Sequence, residues 1–174
     1  MQSRDHETVT VPPEQQIVFP RGLVGLPELK RWILVDMDPP LPMKWLQSLD
    51  REGFRLPVID PGYYVDEYAF AVDAESQELL ATDTVDDLLV MIVSTITEGG
   101  ARITGNLSAP LVVNHRNRRG VQVVLADDSY PLRQEIDQVR FGAAVAACLA
   151  GGGEAPATPA AGNTAERVEL VSAP

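Results

Sequence analysis

The sequence holds a single cysteine, Cys148, and only two histidines, His6 and His115. One thiol forms no internal disulfide, so the chain gains nothing from an oxidising compartment. Neither histidine has a second His or Cys at metal-ligand spacing, which argues against a zinc site. The longest apolar run, "LLVMIV" (88–93), is far too short to span a bilayer. "MQSRDHETVTVPPEQQ" lacks the apolar core of a signal peptide, and a cytoplasmic location is expected by elimination. No nucleophile elbow, phosphate-cradling glycine loop or dinucleotide-binding glycine signature is present. The most informative shortage is of positive charge. Between Arg55 and Arg102 there is no lysine or arginine at all.

That base-free stretch carries Asp60, Asp66, Glu67, Asp73, Glu75, Glu78, Asp83, Asp86, Asp87 and Glu98, in a 174-residue chain whose formal net charge is −11. A pI near 4.5 argues against affinity for DNA, RNA or anionic membrane and favours a basic protein partner. An unbroken block of one sign implies one strongly negative face. The plainer reading is a solvated helix with its loops, which leaves the missing bases unexplained. Asp60, Asp66, Glu67, Asp83, Asp86 and Asp87 are the carboxylates assigned to partner binding. The doublets Asp86–Asp87 and Asp127–Asp128 make poor general acid–base pairs, because neighbours on a strand point to opposite faces. Neither cofactor nor metal is expected, and no catalytic residue is assigned.

The 14 prolines and 13 glycines suit short strands and many turns in one domain. Strands are predicted at 31–37, stopped by "DPPLP", at 54–60 with Pro57 at an edge or bulge, at 88–97 and at 121–127. "MKWLQSL" (43–49) is ambiguous, and as a strand it places Met43, Trp45, Gln47 and Leu49 on one face. A helix is predicted over 73–82, with Asp73 as its N-cap. "EGG" turns the chain from 88–97 back into "ARITGNLSAPLVV", where Gly105 marks a bulge. The fold class is mainly β: a small antiparallel β-barrel-like domain with one or two short helices. Its expected organisation is a flexible arm at 1–14, the barrel-like domain at 15–135, an Ala-rich helix at 136–149 and a low-complexity, disordered tail at 150–174.

One basic cluster stands against the acidity. Arg116, Arg118 and Arg119 fall within "NHRNRRG", the hairpin loop expected between "APLVV" and "VQVVL". Asn114, Asn117 and Gly120 are its residues that tolerate positive φ. Three guanidiniums would hold phosphate weakly, and no interleaved aromatics are present to stack bases. Arg118 or Arg119 folding back onto Asp127, Asp128 or an Asn carbonyl is a second role, and recognition of a protein partner a third. The last two rank above nucleic acid.

The stretches "FPRGLVGLPELKRWILVDMD", "MKWLQSLDREGFRLPVIDP", "DDLLVMIVSTIT" and "NLSAPLVVNHRNRRGVQVVLADDSYPLR" occur in that order. Over about residues 17–135 this resembles the bacterial flagellar assembly factor FliW. The resemblance implies a small β-barrel-like fold, no enzymatic activity and two protein partners. One is CsrA, a small basic RNA-binding protein that represses translation of flagellin mRNA. The other is flagellin, which competes for FliW. No direct nucleic acid or membrane partner is implied, and the free chain is expected to be monomeric. The family motif maps onto Asn114, Asn117, Arg118 and Gly120, assigned to shaping the hairpin, with Arg116 and Arg119 freer to meet a partner. Two other classes stay open. One is an RNA-binding module using the Arg116–Arg119 tip together with Arg102. The other is an enzyme, which requires a deep cleft with convergent polar groups.

Overall fold

Alternation of apolar and polar residues over short, turn-bounded runs yields eleven strands and two helices among the described residues. The computed structural model describes residues 10–126, 128–151 and 168–171. In chain order the elements are β1 (Ile17–Val18), β2 (Arg31–Leu41), β3 (Met43–Ser48), β4 (Arg55–Ile59), β5 (Phe70–Val72), α1 (Ala74–Leu80), β6 (Leu88–Thr97), β7 (Arg102–Gly105), β8 (Leu111–Asn114), β9 (Arg119–Gln122), β10 (Gln134–Glu135), α2 (Gln138–Gly151) and β11 (Val168–Leu170). Short 3-10 turns occur at Pro61–Tyr63 and Val85–Asp87, among others.

The strand order β10-β7-β6-β4-β3-β2-β1-β9-β8 closes on itself because β6 also pairs with β8. The result is a ring-like closed sheet, mainly antiparallel, rather than a regular barrel. Its one parallel joint within the ring is Val18↔Arg119, between β1 and β9. Closure removes most of the free sheet edge.

The strand β6 spans Leu88–Thr97, the range expected, and carries the fold. Its apolar, β-branched sequence suits a strand paired on both sides. The return strand is broken in two. Paired residue numbers sum to 199 for Ser94↔Gly105 and to 202 for Leu88↔Asn114, so three extra residues are inserted after Gly105. The break lies directly after the glycine that marks the bulge in the sequence. Gly105 itself is needed for space: a Cβ there would lie 2.6 Å from the Tyr64 ring.

The prolines behave differently from a simple strand stop. β2 runs on through Pro39 and Pro40 to Leu41, with its register shifting between Asp36 and Leu41. The missing N–H groups fall where no partner is paired, so the strand survives them. At Pro57 one side of β4 is unpaired, because pairing with β6 begins only at Val58. β3 is a strand, but its buried residues are Met43, Leu46 and Ser48. Trp45 is only half-buried, and the Arg55 guanidinium stacks 4.2 Å from its ring centroid.

Two apolar clusters fill the molecule. One centres on Trp32, Leu46 and Leu111, and the other on Tyr68, Val72, Ile92 and Leu107. Outside the ring, α2 buries Phe141, Ala144 and Cys148, spaced to share one helix face. Phe141 meets Tyr63 edge-on at 5.5 Å. The tail departs from expectation in one place. β11 pairs in parallel with β5, from Val168↔Phe70 to Leu170↔Val72, and Val168 is 3% exposed. Alternation in "VEL" supplies two aliphatic side chains on one face, which is enough to seat a strand in an otherwise Ala/Pro-rich segment. Residues 1–9 of the expected arm and 152–167 of the tail lie outside the described residues.

Candidate functional site

The hairpin of β8 and β9 pairs Asn114 with Arg119 and leaves His115, Arg116, Asn117 and Arg118 at the tip. The left-handed position falls on Arg118 (φ 61), not on Asn114, Asn117 or Gly120. The asparagines perform another task. Asn114 is 3% exposed. Its Nδ2 donates to the Leu80 carbonyl at 3.2 Å, and its Oδ1 accepts from the Arg116 amide at 2.9 Å. Asn117 Nδ2 donates to the same carbonyl at 2.9 Å, and its Oδ1 accepts from the Arg119 amide at 3.0 Å. Leu80 ends α1, where helix carbonyls have no intrahelical partner. The hairpin tip is therefore sewn to the helix C-terminus. Gly120 lies under Phe19: a Cβ there would come within 2.6 Å of that ring.

The same tip is fastened to the turn before β6. The His115 amide donates to the Asp87 carbonyl at 2.9 Å, and Arg116 Nε reaches Asp87 Oδ1 at 2.5 Å. Arg116 thus has a carboxylate partner, with Asp87 only 15% exposed beneath it. Among the described residues no ion pair involves Arg118 or Arg119. Asp127 lies outside the described residues. Arg119 is exposed at the rim.

The structure divides the expected partner-binding carboxylates. Asp83, Asp86 and Asp87 lie together on the segment linking α1 to β6, beside the hairpin tip, with Asp83 and Asp86 exposed. Thr84 caps that turn, its Oγ1 accepting from the Asp86 amide at 3.3 Å. Asp83 shares a shallow recess with Glu78 and Val171. Asp60 and Asp66 are held by other elements. Asp60 caps the turn Pro61–Tyr63, accepting from the Gly62 amide at 2.7 Å, and Asp66 pairs with Arg140 of α2. Glu67 is exposed next to Asp66. Glu98 follows β6 at its far end, about 30 Å from Asp86 along a strand that rises ~3.3 Å per residue. The carboxylates of the base-free stretch thus sit on different elements: Asp83, Asp86 and Asp87 on the link from α1 to β6, Asp60 at the turn Pro61–Tyr63, Asp66 against α2, and Glu98 past the end of β6.

The missing bases are accounted for as well. Glu75 pairs with Arg21, Asp87 with Arg116 and Asp66 with Arg140. The base-free segment draws its counter-charges from arginines distant in sequence. Its lack of bases signals that need, but only tertiary structure identifies the suppliers.

Buried polar groups elsewhere act as structural ties. Tyr64 shares a 2.6 Å hydrogen bond with Ser94. Burial pushes its pKa up to about 12, while the Ser94 bond pulls the other way. Tyr68 donates to the Leu107 carbonyl at 2.5 Å, and burial raises its pKa further. A cavity of about 190 Å³ is walled by Leu34, Met43, Val58, Ile59 and Met91, with Lys44, Asp60 and Tyr63 as its polar residues. Among the described residues no cluster of three His, Cys, Asp or Glu side chains is placed to hold a metal ion. None of the described helices is long and apolar enough to cross a membrane.

Comparison with known proteins bears on this arrangement. The family model described as "FliW protein" matches residues 1–136. The chain is similar to the flagellar assembly factor FliW of Caldanaerobacter subterraneus, 36% identical over 71% of this chain and 83% of that protein. It is 34% identical to the flagellar assembly factor of Bacillus subtilis, over 75% of this chain and 92% of the relative. It is 33% identical over 136 residues to that of Bacillus licheniformis, covering 78% of this chain and 95% of the relative. A crystal structure of the flagellar assembly factor FliW superposes with a TM-score of 0.68 at 25% identity, over 73% of this chain and 89% of that one. A match that spans the whole closed sheet, its broken return strand and the tip fastened to α1 leads to one conclusion: the chain belongs to the FliW family.

Proposed function

We propose that this protein is a non-enzymatic, cytoplasmic regulator of flagellar assembly that binds CsrA and thereby relieves repression of flagellin mRNA, with flagellin as the competing partner. The observation that carries the reading is the pair of exposed carboxylates Asp83 and Asp86 on the segment fastened to the hairpin tip through Asp87, with Glu78 sharing the recess of Asp83, in a chain of this family. Exposed carboxylates at one corner attract a basic protein and raise its association rate. The same carboxylates repel an incoming RNA phosphate backbone, so a docked CsrA would be shielded from its message. The name of the relatives, an assembly factor, describes a regulatory role and not a reaction. The alternative, RNA binding through the arginine tip, is weakened because Arg116 is already paired with Asp87.

Titration calorimetry with purified CsrA tests the reading. We expect saturable binding that weakens with added salt and with Asp86→Lys, and that flagellin displaces. Absence of heat and of co-elution with both CsrA and flagellin would overturn it. A gel shift of flagellin leader RNA by this protein alone, without CsrA, would instead support the RNA-binding alternative.

A further inference from the structure

The family match ends at residue 136. The Bacillus licheniformis relative is 95% covered by 136 aligned residues, which leaves it no room for a segment as long as 137–174. β11 therefore belongs to what this chain adds to the family fold. Its place is specific. Among the described residues it is the sole strand partner of β5, in a two-stranded parallel sheet apart from the ring. Val168 joins the core cluster containing Phe70 and Val72, and Leu170 packs against it from the rim. Gln77 of α1 clamps both strands: its Nε2 donates to the Val72 carbonyl and to the Val171 carbonyl, each at 2.8 Å. The Val171 amide donates to the Val72 carbonyl at 3.1 Å.

Three paired residues in parallel make a weak ladder, and an isolated pair of strands is marginal in water. The seat is better built than its occupant. Phe70 and Val72 are buried, Leu79 and Val85 pack beside them, and Gln77 is positioned by α1 to receive an extended backbone. We propose that the edge of β5, framed by α1 and the turn Val85–Asp87, is a strand-accepting dock, and that Val168–Leu170 is its displaceable intramolecular occupant. The partner it fits is an extended protein segment with aliphatic residues two positions apart. Backbone hydrogen bonds supply affinity in this mode, and alternate side chains supply specificity. Val171 shares the recess of Glu78 and Asp83, so the seated tail covers part of the acidic corner. In that last respect the inference rests on the function proposed above: release of the tail would widen the surface open to a basic partner.

The test uses the full-length chain and a labelled peptide of sequence ERVELVSAP, residues 166–174. Occupancy in cis weakens apparent peptide affinity by the fraction of molecules whose dock is open. Val168→Asp with Leu170→Asp empties the dock, so this variant should bind the peptide at least about tenfold more tightly than the wild type. A peptide carrying the same two aspartates should not bind. Equal affinity of wild type and variant overturns the proposal, as does no binding to a variant whose circular dichroism matches the wild type. If the double variant does not fold, the single change Leu170→Asp, at the rim of the dock, decides. It weakens only the seated tail and must tighten binding of the wild-type peptide, and an unchanged affinity sinks the dock. CsrA takes no part in this measurement, so its failure is distinct from failure of the proposed function.

Discussion

Gly120 shows how much a single missing Cβ can matter. Its backbone is ordinary strand, and what needs glycine is the Phe19 ring, 2.6 Å from where a Cβ would stand. Gly120→Ala should destabilise the chain by about 1–3 kcal/mol through overpacking. Urea unfolding would register this as a lower midpoint with unchanged slope. Tyr64 offers a second residue-scale test. Its pKa is raised from 10.0 to about 12, so the folded state holds the phenol proton more tightly than the unfolded state does. That contribution is complete below pH 10 and is lost as pH rises towards 12. The expected loss is on the order of 2–3 kcal/mol. Stability measured at pH 9 and pH 11.5 should fall for the wild type and fall less for Tyr64→Phe. An equal fall in both would remove Tyr64 as the cause.

At the scale of elements, α1 has only seven residues and relies on its ends. Asp73 accepts from the Ser76 amide at 2.8 Å at one end, and Asn114 and Asn117 meet the Leu80 carbonyl at the other. The N-cap was legible because a capping side chain lies next to the residues it caps. The C-terminal tie was not, since it joins positions 34 and 37 apart in sequence. Asp73→Ala should cost about 1 kcal/mol. Asn114→Ala should cost about 1–3 kcal/mol, because it removes a buried donor to the Leu80 carbonyl and the acceptor of the Arg116 and Asn117 amides. Thermal melts of the two variants would rank them. Asn114→Ala should additionally raise hydrogen exchange at Arg116 and Asn117, which Asp73→Ala leaves unchanged.

For the molecule as a whole, the question is where charge is gathered. Asp86 lies in the turn just before β6 and Glu98 just past its end, with ten strand residues between them, which rise on the order of 30 Å when extended. Charge reversal at Asp86 should weaken binding of a basic partner and flatten its salt dependence. Reversal at Glu98 should leave both nearly unchanged, since the separation exceeds the ~8 Å screening length at physiological ionic strength. Matched salt series of calorimetric affinities for the two variants would separate a local acidic corner from a general effect of net charge.

What the sequence determined by itself was everything carried by neighbours along the chain. The span of β6, the turn at "EGG", the N-cap at Asp73, the α2 helix and the break after Gly105 all follow from periodicity, turn chemistry and capping, which act over a few residues. The order of family stretches also identified the scaffold. Tertiary structure alone decided which arginines neutralise the base-free segment, which face of β3 is buried, and that Asn114 and Asn117 serve a helix end. It also decided that three residues of an Ala/Pro-rich tail return to cover β5. These are pairings between distant positions. Their energies depend on which surfaces the closed sheet brings together, and no local pattern encodes that choice.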